Sequence, residues 1–266
     1  MGTTLPYWVD ASRESPVEVV GDTHNESLEL VVHGRWNVAI AAEIRAGVNK
    51  CLAEHPTAVL VDLRDLGDPG GHSAPMWLAA YHCGKLRQPP IPLMLCIPPA
   101  ATLATRLRQI GAQRFLSVFA SMPEARAALT SGLRPPDRVQ QDLPPELDSA
   151  ARAREVLERA CLDWDLASLR QRALLVMSEL VTNAVEHAAT DMRLTVSRRG
   201  AGLYMALQDD DPRLPALLPP PPHDPGTPLL ARGQGLRLVQ TAASAWGARR
   251  HRSGKIVWAT IRGCPG

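Results

Sequence analysis

Three separated groups of residues carry side chains able to do chemistry. Glu179 and Asn183 stand four apart in the run Ser178-Glu179-Leu180-Val181-Thr182-Asn183-Ala184-Val185-Glu186-His187-Ala188. On a helix of 3.6 residues per turn about 40° separates them, with Glu186 close to the same line. Met177, Val181, Ala184, Val185 and Ala188 fall on the opposite arc, so the acid and the amide share a polar face. By spacing alone such a face also reads as solvated helix surface. The second group is Leu207-Gln208-Asp209-Asp210-Asp211-Pro212, a carboxylate at a strand end above a proline turn. It can accept a hydrogen bond from an exocyclic amine, although alone it is also an aspartate-rich turn. The third is Arg232-Gly233-Gln234-Gly235-Leu236-Arg237-Leu238-Val239, two glycines opening a helix. Glycines let backbone approach phosphates, and a helix N-terminus supplies free N–H donors. In this order the three groups have the pattern of an ATP site.

The elements that must hold these groups follow from periodicity. Helices are expected at 149–162 and 166–189, strands at 192–198 and 202–208, and a proline-rich loop over 211–229. A helix at 235–246 and a strand pair at 247–252 and 255–262 complete this half. Helices in a block, then mostly antiparallel strands, predict an α/β sandwich. The first half alternates instead: strands at 27–33, 57–63 and 92–97, with helices at 38–54, 74–87, 100–111 and 122–130. That is an α/β domain with helices packed on a sheet. Between the halves, residues 131–149 contain two Pro-Pro pairs and few core residues, and read as a linker and the entry to a new domain. The expected division is a first domain over 15–130, a linker over 131–144 and a second domain over 145–264.

At 266 residues with 45% hydrophobic and 21% charged content, the chain has the composition of a globular protein of two domains. Net charge is +2, too small to imply a nucleic-acid partner, and no basic recognition helix is present. No run approaches the roughly 20 apolar residues of a membrane helix. The first 30 residues lack a basic start and an apolar run, so the expected location is the cytoplasm. The cysteines Cys51, Cys83, Cys96, Cys161 and Cys264 are scattered, without zinc or disulfide spacing.

The run 178–188, then Asp209-x-x-Pro212, Gly233-x-Gly235-Leu236, Trp246-Gly247 and Gly254-Lys255-x-Val257-Trp258 resemble the ATPase domain of actinobacterial anti-sigma regulatory factors of the serine/threonine kinase type. That group lies within the superfamily of gyrase, Hsp90 and histidine kinase ATPase domains, the Bergerat-type sandwich. The resemblance covers about residues 145–262. It implies that Asn183 binds Mg²⁺ bridging the phosphates and that Glu179 is the base activating a hydroxyl or water. It further implies that Asp209 accepts from the adenine amino group and that Gly233 and Gly235 let the lid cover the phosphates. Arg232 and Lys255 are candidate phosphate contacts, each equally readable as solvated. The sequence departs from the family where Asp210, Asp211 and Pro212 replace glycines. Its lid carries Pro215, Pro219–Pro222, Pro225 and Pro228, which stiffen the backbone.

The first half resembles, less closely and over about 15–130, the STAS domain of anti-sigma factor antagonists. The resemblance rests on the strand at 28–32, Gly34, the helix at 38–54 and the strand at 59–63 with Asp62. The antagonists' acceptor serine falls near Gly71 here, and Ser73 is the one hydroxyl close by. The resemblance therefore implies a degenerate antagonist domain, with Ser73 as the alternative phosphoacceptor. Together the two resemblances imply a partner-switching transcription regulator with ATP and Mg²⁺ as cofactors. Its partners would be a sigma factor or a STAS-type antagonist, and family members often act as dimers. The alternatives are a serine/threonine protein kinase and a non-catalytic ATP-binding interaction module with a STAS-like docking domain. A sensor histidine kinase is excluded because residues 131–160 contain no histidine.

Overall fold

The alternation of apolar runs and helical patterns organises two separate sheets. The computed structural model describes residues 7–9, 15–22, 25–132, 137–216, 235–251 and 254–263. Contacts divide the chain into Asp10–Pro136 and a second unit made of Met1–Val9 with Asp137–Gly266. Strand β1 (Tyr7–Val9) belongs to the second unit.

The unit Asp10–Pro136 holds β2 (Val17–Asp22), β3 (Ser27–Arg35), β4 (Val59–Gly67), β5 (Leu93–Cys96) and β6 (Ser117–Phe119), adjacent in that order. β2 runs antiparallel to β3, and the other neighbours are parallel. Parallel neighbours require crossovers, supplied by α1 (Val38–Glu54), α2 (Ala74–Lys85) and α3 (Thr102–Gln109), with α4 (Met122–Gly132) following β6. The central strands are apolar without alternation because both faces are covered: β5 is buried throughout and β4 over its first five residues. Helix α1 begins where Asn37 Oδ1 accepts from the Ile40 N–H at 2.9 Å and ends at His55 in the left-handed region. Its apolar stripe of Ile40, Ile44, Val48, Cys51 and Leu52 is buried. A cluster of Leu60, Met94 and Cys96 with Met122, Ala125 and Leu129 joins β4 and β5 to α4. Truncating a leucine such as Leu60 in such a cluster costs about 2–5 kcal/mol.

The second unit holds a six-stranded sheet in the order β1-β10-β11-β9-β8-β7. Its members are β7 (Arg138–Leu143), β8 (Met192–Arg199), β9 (Gly202–Asp209), β10 (Ala245–His251) and β11 (Gly254–Arg262). These five are antiparallel to their neighbours, while β1 pairs parallel with β10. Helices α5 (Ser149–Asp163), α6 (Arg170–His187) and α7 (Gly235–Ala242) share a core with the sheet. The strand residues in that core alternate: Met192, Leu194 and Val196; Leu203, Met205 and Leu207; Val257, Ala259 and Ile261. Period-two alternation therefore turns Asp209 and Lys255 to the same helix-facing side. Arg172 of α6 donates to the carbonyl of Ala242 at 3.0 and 2.8 Å and to that of Arg262 at 2.9 Å. The guanidinium thus satisfies a carbonyl at the end of α7 that has no partner inside the helix.

Three expectations change. β7 occupies part of 131–144, which the proline content marks as linker. It is an edge strand whose middle residues are exposed, so only Leu143 shows an apolar signal. The helix expected at 235–246 stops at Ala242, and Ala245 and Trp246 already belong to β10. The first residues, expected outside both domains, contribute β1 to the second unit.

Candidate functional site

Helix α6 carries the acid and the amide. Its buried residues Ala173, Val176, Met177, Leu180, Val181 and Ala184 fix its rotation. Glu179 and Asn183 are left half-buried beside that stripe, whereas Thr182 and Glu186 are exposed. The polar face is therefore partly covered at the two expected positions and open between them. Burial pushes the Glu179 carboxyl up from its ordinary range, and repulsion from Glu186 adds to this. A raised carboxyl suits a general base, because its conjugate acid is less strong.

Gly235 opens α7 directly against that carboxyl. A Cβ at this position would run into Glu179 Oε2. The close approach brings Gly235 of the third sequence group onto the first, and an added Cβ there would displace the end of the Glu179 side chain. Arg232 and Gly233 lie outside the described residues.

Asp209, the last residue of β9, is 2% exposed. Its neighbours across the two ladders are Met192 on β8 and Lys255 on β11. A Cβ at Gly254 would collide with the Asp209 carbonyl, so the turn into β11 passes this point only as glycine. Lys255 Nζ donates to Asp209 Oδ1 at 2.8 Å, to the Asp211 carbonyl at 3.1 Å and to Asp211 Oδ2 at 3.4 Å. Asp209 Oδ1 also accepts from the Asp211 N–H at 2.9 Å. Asp209 Oδ2 is buried with no hydrogen-bond partner. Burial raises the Asp209 carboxyl, while Lys255 and the Asp211 N–H pull it back down. A buried acceptor left open costs free energy unless a donor arrives.

The turn after Asp209 is tied down. Asp211 Oδ1 accepts from the Arg213 backbone at 3.1 Å and its Nε at 2.9 Å, and the guanidinium reaches the His187 carbonyl at 3.2 Å. The Arg213 bond lowers the Asp211 carboxyl to about 2. The Asp210 N–H donates to Thr190 Oγ1 at 3.1 Å. The end of α6 and the end of β9 are thus fastened together through residues whose role is not visible in the sequence. A cleft of about 500 Å³ opens at this end of the sheet, lined by Asp209 and Asp210 with residues of β7 and β8 such as Asp142, Met192 and Arg193.

The arrangement sorts the sequence candidates. Glu179, Asn183 and Gly235 gather at α6 and the start of α7, and Asp209 stands at the strand end as expected. Lys255, expected as a phosphate contact or solvated, is not solvated: the residue is 4% exposed and its ammonium is paired with Asp209 and Asp211. Among the described residues no three His, Cys, Asp or Glu are grouped to hold a metal. No described helix is long and apolar enough to cross a membrane.

In the other unit, Ser73 is fully buried at the start of α2. Its hydroxyl donates to Asp68 Oδ2 at 2.7 Å and accepts from the Trp77 indole at 3.1 Å. The candidate phosphoacceptor hydroxyl is thus enclosed and bonded on both sides in this structure. Asp68, with His72 a weak sequence suggestion of a metal or acid–base site, instead binds the His72 and Ser73 N–H groups, each at 2.9 Å. It is a helix cap.

Comparison with known proteins places these units among others. Residues 143–261, just under half of the chain, match the family model described as the histidine kinase-like ATPase domain. No curated protein matches the chain. Among solved structures, the chain is similar to an anti-sigma factor antagonist from Mycobacterium paratuberculosis at 17% identity and a TM-score of 0.37, over 43% of this chain and 94% of that one. It is also similar to the RsbU and RsbW domains of a Mycobacterium tuberculosis protein at 16% identity and a TM-score of 0.36, over 48% of this chain and 33% of that one.

Proposed function

From a histidine kinase-like ATPase domain over residues 143–261, we propose that the second unit binds ATP with Mg²⁺. We propose further that the whole chain acts as an anti-sigma-type regulator by partner switching. The observation that carries the reading is the unpaired Oδ2 of Asp209, a buried acceptor at the strand end that a hydrogen bond from an exocyclic amine would satisfy. The contact of Gly235 with the Glu179 carboxylate supports it, because phosphates approaching the start of α7 would arrive beside a carboxylate already raised by burial.

In this reading the Asn183 amide oxygen is a ligand of Mg²⁺, which would neutralise charge on the phosphates when bound. Glu179 takes the proton of an attacking serine hydroxyl on an antagonist protein. The serine oxygen bonds to the terminal phosphorus, the bond to the bridging oxygen breaks and ADP leaves. The STAS-like first unit then serves as a docking domain rather than as the phosphorylated switch, consistent with its enclosed Ser73.

Titration of Mg-ATP into the full chain tests the binding step, with Asp209→Asn expected to abolish most of the heat. Binding by the wild type that survives unchanged in folded Asp209→Asn would sink the reading. Transfer of label from γ-labelled ATP to a STAS-type antagonist tests the kinase step, and Glu179→Ala should lose transfer while keeping nucleotide. A second reading, ATP binding without turnover, is favoured by the turn Asp210–Arg213, held to His187 and Thr190 rather than left free to move. Tight ATP binding with no transfer to any antagonist would select it.

A further inference from the structure

We infer that Lys255 is a positioning residue for base recognition, leaving Asp209 one open oxygen and so selecting a base with a single exocyclic amine over one presenting two adjacent N–H donors. This rests on the reading of the second unit as a nucleotide site and concerns which base that site takes.

The hydrogen-bond count is closed on one side and open on the other. A lysine ammonium has three donors, and Nζ has three acceptors within reach: Asp209 Oδ1 at 2.8 Å, the Asp211 carbonyl at 3.1 Å and Asp211 Oδ2 at 3.4 Å. With the Asp211 N–H at 2.9 Å, Asp209 Oδ1 is doubly occupied. Asp209 Oδ2 has nothing. A guanine edge offers N1–H and the 2-amino group side by side and needs both oxygens of one carboxylate. An adenine edge offers one amine and needs only the free oxygen. The buried cation favours the ionised carboxylate, against the burial that raises it.

The position of Lys255 is set by the fold. It lies directly across the β9–β11 ladder from Asp209, on the helix-facing side shared with Leu207 and Val257. Gly254 allows the close approach that puts it there. The charged groups facing Asp209 are Lys255 from β11 and Asp211 from the turn, while β8 presents Met192 across the other ladder. Asp211 is itself held down by Arg213. Lys255 is therefore the cation that opposes, in part, the effect of burial on Asp209.

The test is calorimetric titration of the full chain with Mg-ATP and with Mg-GTP, for the wild type, Lys255→Met, Lys255→Gln and Lys255→Arg. Circular dichroism identifies the folded variants, and the glutamine variant decides should the methionine variant not fold. The wild type is expected to bind ATP and to discriminate against GTP. The uncharged variants should bind ATP at least about tenfold more weakly, the scale of one charge-assisted hydrogen bond. Their ATP affinity should also rise with pH more than that of the wild type, because Asp209 has lost the cation that opposes its burial, and Lys255→Arg should restore the flatter profile. A merely structural lysine would not move the pH profile. Wild-type binding of GTP as tight as ATP, or an uncharged variant binding ATP with wild-type affinity and the wild-type pH profile, would overturn the inference alone. A folded wild type that binds neither nucleotide would remove the nucleotide reading as well.

Discussion

Two aspartates, one in each unit, are almost equally buried and differ in what their oxygens touch. Asp68 is 7% exposed and Asp209 is 2% exposed. Asp68 places Oδ1 on the His72 N–H and Oδ2 on the Ser73 N–H and hydroxyl, so both oxygens are used within the chain. Asp209 collects two donors on Oδ1 and none on Oδ2. Asp68 follows the end of β4 and Asp209 ends β9, each beside a turn rich in glycine, proline or aspartate. Burial alone does not separate a structural carboxylate from one prepared for a ligand; the count of satisfied lone pairs does.

The contrast can be broken most directly at Asp209. Asp209→Asn leaves the buried Lys255 with Asp211 only, and should destabilise the second unit by about 3 kcal/mol, the low end for breaking a buried pair. ATP affinity should fall in the same variant by about 2 kcal/mol, roughly thirtyfold. Urea denaturation and calorimetry read the two effects, and a variant losing neither would erase the distinction. Asp68→Ala leaves the buried Ser73 N–H and hydroxyl without their acceptor and should cost the first unit about 1–3 kcal/mol, with nucleotide affinity unchanged. Any shift in ATP affinity there would show that the two carboxylates are not functionally separate.

A smaller effect separates the site acids by pH. The Glu179 carboxyl is raised in the folded state by burial. Its contribution to stability is then fully present below the ordinary glutamate range and lost as pH rises through the folded value. Glu179→Gln should therefore raise the urea midpoint at neutral pH, with the gain vanishing as the medium is acidified past that range. Asp211 is the opposite case. Lowered to about 2 by Arg213, it stabilises above the ordinary aspartate range and loses this as pH falls toward 2. Arg213→Ala should remove that dependence and cost no more than about 1 kcal/mol, because the guanidinium is exposed.

The contrast also explains what could be read in the sequence. Helix α1 is legible to the residue because an asparagine cap and an unbroken apolar stripe mark it. β2 and β7 are not, since each is an edge strand with a mostly solvated face, and only the partner strand makes it a strand. The site is legible wherever local spacing places it: Glu179 and Asn183 by a helical turn, Gly235 by its position before an apolar helix, Asp209 by the end of a strand. The partnership of Asp209 with Lys255 is not, because it depends on cross-strand register between distant segments. For the same reason a lysine that reads as solvated turns out to be paired inside the unit.

The pairing of β1 with β10 sets Tyr7 opposite Gly247. During synthesis Tyr7–Val9 emerges well before Ala245–His251, the strand it pairs with. A nick in the segment between the units would leave two pieces still joined by this ladder, whereas a fragment beginning at Asp137 would carry the backbone edge of β10 bare. An exposed edge of that kind invites pairing with another chain.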